Sequence, residues 1–168
     1  FEVIEHTAHP DQFLKHLTSF IKPGGYLILS TPNGAYCRNN LPCFSDTANK
    51  EQFETKQFKP NADGHIFLLW PSELEALAKQ CNLNPVMLKT FGTPLSCGHC
   101  GIHYLHKFIP HCVLNIVDKA THIFPPFIRN FLSYGLVAVF KKEEYQITLH
   151  KSSKIVRKNV TQISKYTK

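Results

Sequence analysis

Two short runs concentrate side chains able to ligate a metal, move a proton or act as a nucleophile. The first is Glu2-Val3-Ile4-Glu5-His6, at the start of a chain of 168 residues. Its hard carboxylate oxygens and imidazole suit magnesium, manganese or zinc-like ions, so Glu2, Glu5 and His6 are a candidate metal set. The same residues also suit proton transfer, with His6 as general base and Glu5 beside it. A structural role is the third reading, with Glu5 capping the next helix and His6 packing on a sheet. The second run is Cys97-Gly98-His99-Cys100. This spacing suits a redox pair with a low-pKa thiolate. It also suits half of a zinc site completed by His103, His106, His111 or Cys112. Unpaired thiols and surface histidines in an insertion are the alternative.

The elements that must position these groups alternate strand and helix. Phe1 to His6 reads as the end of a buried strand running into a loop. Pro10 and Asp11 open a helix whose Phe13, Leu14, Leu17, Phe20 and Ile21 recur at the 3.6-residue period. Lys22-Pro23-Gly24-Gly25 ends it. Tyr26 to Thr31 reads as a buried strand, broken by Pro32-Asn33-Gly34. Residues 34–63 read as a long loop with one short helix, of the kind that covers active sites. Pro71-Ser72-Glu73 starts a helix carrying Leu74, Leu77 and Ala78. Asn82 or Asn84 ends it, and Pro85 to Phe91 is the next strand. The alternation predicts an α/β fold with a parallel sheet.

Residues 96–132 break that rhythm as an insertion. Val113, Leu114, Ile116 and Val117 mark one helix, and Phe127, Ile128, Phe131 and Leu132 another, with Pro110 and Pro125-Pro126 between apolar stretches. Two roles suit the aromatics of 102–132, packing against the sheet or touching a membrane surface with basic residues toward headgroups. Tyr134 to Phe140 is a final strand.

Taken in order, these pieces resemble the C-terminal half of a class I S-adenosylmethionine-dependent methyltransferase. The resemblance is carried by Glu2-Val3-Ile4-Glu5-His6, by Lys22-Pro23-Gly24-Gly25 leading into Ser30-Thr31-Pro32-Asn33, and by Gly64-His65-Ile66 followed by Pro71-Ser72-Glu73-Leu74. It is nearest in style to the ubiquinone-biosynthesis O-methyltransferases. It covers residues 1–95 and returns at 134–142 as a last, antiparallel strand. It implies a Rossmann-like sheet and methyl transfer from S-adenosylmethionine to a small, apolar molecule, on oxygen. Phe1, Glu2 and Val3 would line the methionine end of the cofactor. Glu2, Glu5 and His6 would hold a divalent metal, which would lower the pKa of a catechol-like hydroxyl. Asn33, Tyr36 and His65 would face substrate.

No two of the eight glycines are separated by a single residue, so the glycine-rich cofactor turn of such enzymes is not among these residues. Nor is an acidic residue for the ribose. The expectation is a fragment, inactive alone, with a partial methyltransferase domain at 1–142 and a basic tail at 143–168. The alternatives are a zinc- or redox-binding module on Cys97 and Cys100, and a non-catalytic remnant that binds a partner.

Charge supports this division. The net charge is +7, but residues 1–140 hold 11 basic against 10 acidic side chains, and residues 141–168 hold 8 against 2. The folded part is near neutral, so nucleic acid is not expected as a partner. The tail suits an anionic membrane surface. Six sparse cysteines fit reduced thiols in the cytoplasm, with a place peripheral to a membrane as the companion reading.

Overall fold

The structure, a computed structural model, describes residues 2–57, 64–98, 104 and 108–144. Phe1, His99, Cys100, His103, His106 and the tail from residue 145 lie outside the described residues. Among the described residues, four helices and three strands follow in order: α1 (Pro10–Ser19), β1 (Tyr26–Pro32), α2 (Pro71–Gln80), β2 (Leu83–Phe91), α3 (His111–Thr121), α4 (Pro126–Leu132) and β3 (Gly135–Lys142). Short 3-10 helices span Ile4–His6 and Glu51–Lys56.

The N-terminal segment is not a strand end, as the sequence suggests, but a turn. The His6 N–H donates to the Val3 carbonyl and the Thr7 N–H to the Ile4 carbonyl. The His6 and Thr7 N–H groups are thus spent within the turn and are not available to a strand ladder.

The sheet order is β1-β3-β2. β1 and β2 share one direction, as a strand–helix–strand unit requires. They are not neighbours, however, because β3 runs antiparallel between them. Its register sets Tyr26 opposite Lys141 and Pro32 opposite Gly135 on one side, and Leu83 opposite Lys142 and Phe91 opposite Gly135 on the other. The expected parallel pairing is thus replaced by two antiparallel ladders, and the antiparallel last strand is as the resemblance implies. The β2 ladder slips between Pro85 and Met87. Proline has no N–H to give a ladder, so the irregularity falls where a donor is lacking.

The helices α1 and α2 follow from their apolar rows. Leu14 of α1 and Leu74, Leu77 and Ala78 of α2 are buried against Leu29, Leu83, Leu136, Ala138 and Phe140 of the sheet. Each fully buried Leu or Phe contributes roughly 1.5–3 kcal/mol. Both helices start with Pro in the first turn, where its missing N–H leaves no bond unmade. Lys142 reaches back to close α1, its Nζ donating to the carbonyls of Thr18 and Ile21 at 2.8 Å each. Asn82 ends α2 in the left-handed region at φ 57°.

The long loop after β1 is held down at both ends. Phe67, fully buried, meets the rings of Phe44 and Phe53 edge-on. Glu73 of α2 accepts the Trp70 N–H at 2.8 Å, and the Ser45 N–H and hydroxyl at 2.8 and 2.7 Å. It also accepts the Cys43 thiol. Burial alone would raise the Glu73 pKa, but these bonds outweigh it and hold the carboxyl below its usual range.

Candidate functional site

The turn at Ile4–His6 and the segment around His65 meet because the Glu5 carbonyl accepts the N–H groups of Ile66 and Phe67, at 2.7 and 3.4 Å. This clamp brings together two pieces of chain sixty positions apart. Glu5 is fully buried below it. Its Oε2 accepts the Thr31 hydroxyl at 3.0 Å, from the core-facing side of β1. Its Oε1 is buried and has no hydrogen-bond partner, with His6 Nε2 3.9 Å away. The His6 and His65 rings lie 4.8 Å apart, tilted at 59°. Burial raises the Glu5 pKa, while its own backbone N–H, the Thr31 hydroxyl and the charges of His6 and His65 pull against it.

Among the described residues, the ligand atoms of Glu5, His6 and His65 form a group lying within 4.8 Å of one another. This differs from the expected set of Glu2, Glu5 and His6. Glu2 is exposed and is not among the grouped ligand atoms, so His65 stands where Glu2 was expected. The signal for His65 was the Gly64-His65 pair, but no sequence spacing ties it to Glu5.

Beside this corner opens a cleft of about 690 Å³, lined by Glu2, Asn33, Tyr36, Arg38, His65 and Tyr134 among others. Four of these were singled out in the sequence. Val3 does not line it, and Phe1 lies outside the described residues. Arg38 and Tyr134 were missed. Arg38 lies two residues beyond Tyr36, and Tyr134 stands just before β3, so neither belongs to a recognisable motif.

Asn33 is fully buried, and its polar atoms are all engaged. Its Nδ2 donates to the carbonyls of Asn130 and Ser133 at 2.8 and 2.7 Å, and its Oδ1 accepts the Ala35 N–H at 3.0 Å. It therefore ties the end of β1 to α4 and shapes the cleft floor. Gly34 packs beside it, its N–H on the Leu69 carbonyl at 3.0 Å. An added Cβ would run into the Leu68 carbonyl, so no side chain fits there.

The second candidate run has different surroundings. Cys97 lies in a separate pocket of about 310 Å³ with Ser96, Asp118, His122 and Tyr134. Burial pushes its thiol up to about 11, partly countered by Ser96 and reinforced by Asp118. Asp118 itself is engaged by Thr93, accepting its hydroxyl at 2.7 Å and its N–H at 3.1 Å. Cys112 and His111 are exposed on α3. The five described cysteines are free thiols.

The family model for the methyltransferase domain (Methyltransf_23) matches residues 1–88, and the chain belongs to that family. It carries a class I S-adenosylmethionine methyltransferase-like domain of the α/β class. The ubiquinone biosynthesis O-methyltransferase of Shewanella pealeana is 29% identical over 82 residues, which are 49% of this chain. The match spans only 33% of that relative. A candidate methyltransferase of Bacillus halodurans, a solved structure, overlaps 84% of this chain and 67% of its own, with a TM-score of 0.39 and 12% identity. No helix among the described residues is long and apolar enough to cross a membrane.

Proposed function

We propose that this domain serves S-adenosylmethionine-dependent methyl transfer to the oxygen of a small molecule bound in the cleft beside Glu5, His6 and His65. The observation that supports this most is the corner itself. A buried carboxylate with one unpartnered oxygen stands behind two imidazoles, and one of these, His65, lines a cleft of small-molecule size. When bound, S-adenosylmethionine supplies a methyl group activated on a sulfonium. The residues present fit one end of it: the Glu2 carboxylate on the cleft wall suits an ammonium group. The chain's own work is to hold the acceptor and take its proton. His65, facing the cleft, receives the proton of the substrate hydroxyl, and the Glu5 carboxylate stabilises the imidazolium so formed. Glu5 and Thr31 fix the corner, while Asn33 and Tyr36 fix the cleft floor, so that the acceptor oxygen is held in line.

A second reading keeps the same corner and gives it a divalent cation. The orphaned Glu5 Oε1 and the two imidazoles form a mixed oxygen–nitrogen donor set that fits one. Glu5, His6 and His65 would hold it, and it would supply polarisation of the acceptor hydroxyl. The same proposal includes contact with a membrane surface through 102–132 and the basic tail. The rival built on redox chemistry at Cys97 is disfavoured, because a thiol raised to about 11 is protonated at neutral pH.

The test is transfer of a labelled methyl group from S-adenosylmethionine to a catechol acceptor by the native gene product. His65→Ala and Glu5→Gln are each expected to lower kcat by roughly 10²-fold or more. Unchanged rates in both would overturn the assignment, and absence of any turnover in the unmodified protein would favour the non-catalytic reading.

A further inference from the structure

The segment of α3 and α4 presents two apolar rows where one would suffice. Leu114 and Thr121 of α3 are buried, with Val117 and Asp118 half-buried between them. These positions, spaced at three and four, are the row that packs inward. A second row, Val113, Ile116, Ala120 and Ile123, stays in solvent. Ile123 is 85% exposed. Phe124, between the two helices, is exposed too, and α4 exposes Phe127, at 73%, and Phe131 one turn further on. A single exposed apolar side chain means little, but a whole second row with aromatics marks an interaction surface.

Within α3 and α4 the charged side chains other than Asp118 are basic. Asp118 is the only carboxylate between Glu75 and Glu143. Its oxygen is taken by the Thr93 hydroxyl and N–H. Lys119 is exposed and Arg129 half-buried, and neither has a carboxylate within ion-pair distance among the described residues. An apolar, aromatic row flanked by unpaired cations is complementary to an anionic bilayer surface. A symmetric pairing of two copies through this face would set cations against cations. None of the described helices is long and apolar enough to span a bilayer, so α3 and α4 would lie in the interface.

We infer that the outer row of α3 and α4, with Ile123, Phe127 and Phe131 as its apolar anchors and Lys119 and Arg129 as its headgroup contacts, docks this domain on anionic lipid. This rests on the membrane-surface part of the proposed function and narrows it to one face; it does not depend on the methyl-transfer chemistry. The α4 end of this segment is tied to the cleft. The Asn33 amide holds the carbonyls of Asn130 and Ser133, and the Cys37 N–H donates to the Phe131 carbonyl at 2.9 Å. Docking through this face therefore brings the cleft to the lipid–water boundary.

The test uses vesicles of phosphatidylcholine with and without phosphatidylglycerol. The chain has a single tryptophan, Trp70, outside this face. Phe127→Trp in a Trp70→Phe background should shift its emission to the blue with the anionic vesicles only. Phe127→Ser with Phe131→Ser should weaken vesicle partitioning by roughly tenfold or more. Lys119→Gln and Arg129→Gln should each weaken it by about fivefold, on anionic vesicles alone. Because Phe127, Phe131 and Lys119 are exposed, an unchanged thermal melt accompanies the results for these three. Vesicle binding with no blue shift and no loss in the serine pair would assign the contact to the basic tail and overturn the inference, leaving the broader membrane reading standing. No vesicle binding at all would overturn both. A concentration-dependent dimer abolished by the serine pair would overturn it in favour of a second copy.

Discussion

The corner at Glu5 and the pocket at Cys97 draw on the same kinds of side chain and end in different states. At the corner, a backbone clamp from Glu5 to Ile66 and Phe67 sets two imidazoles around a carboxylate with a free oxygen. At the pocket, Asp118 is consumed by Thr93, and burial holds the thiol protonated. One carboxylate keeps an unused acceptor, and the other spends its oxygen on the fold. The difference shows that ligand-type residues become a site through what the backbone leaves unsatisfied, not through their spacing in the chain.

The largest effect should come from the link that shapes the cleft. Asn33→Ala removes two bonds to carbonyls and one to an N–H, all at least partly buried, and should destabilise the fold by about 2–4 kcal/mol in denaturant titration. A loss near zero would mean that the cleft floor is held by packing alone.

Next is the corner's pH dependence. The folded pKa of Glu5 is raised, so the folded state binds its proton more tightly than the unfolded chain does. Its contribution is fully present below the ordinary carboxylate range and is lost as pH rises through the raised value. Glu5→Gln should therefore flatten the stability profile above the ordinary carboxylate range, becoming relatively more stable as pH rises. Parallel profiles for the two proteins would contradict the buried-carboxylate description.

The pocket offers the opposite check. At pH 8, Cys97 should react with iodoacetamide roughly a hundredfold more slowly than the exposed Cys37 and Cys112, as its thiolate fraction is so small. Equal labelling would revive a reactive cysteine there. A smaller effect is expected at Glu73, where Glu73→Gln should cost about 1 kcal/mol in a thermal melt by weakening the cap on α2 and the tie to Ser45.

Much of this architecture was legible in the chain. The apolar periodicity of α1 and α2, the run Tyr26 to Thr31 and the breakers at Gly24 and Asn82 gave the elements. The insertion of β3 between β1 and β2 was not legible, because strand order depends on which edges meet in space, and no local pattern records it. The turn at Ile4–His6 was misread for a related reason: its apolar residues suit a strand, but its hydrogen bonds close locally. In the site, Glu5 and His6 stood out by type, and His65 by its glycine neighbour. Their convergence rests on two backbone bonds between distant segments, which side-chain identity does not encode. Arg38 and Tyr134 reach the cleft through loop path and strand register alone. The two helices of the insertion were visible, whereas the exposure of their second row depends on what the rest of the fold leaves uncovered.

The most direct test of the central claim is a paired kinetic measurement of labelled methyl transfer by the native gene product carrying His65→Ala or Cys97→Ser. The account predicts a loss of roughly 10²-fold or more for His65→Ala and an unchanged rate for Cys97→Ser. An unchanged rate for His65→Ala together with a collapse for Cys97→Ser would contradict it.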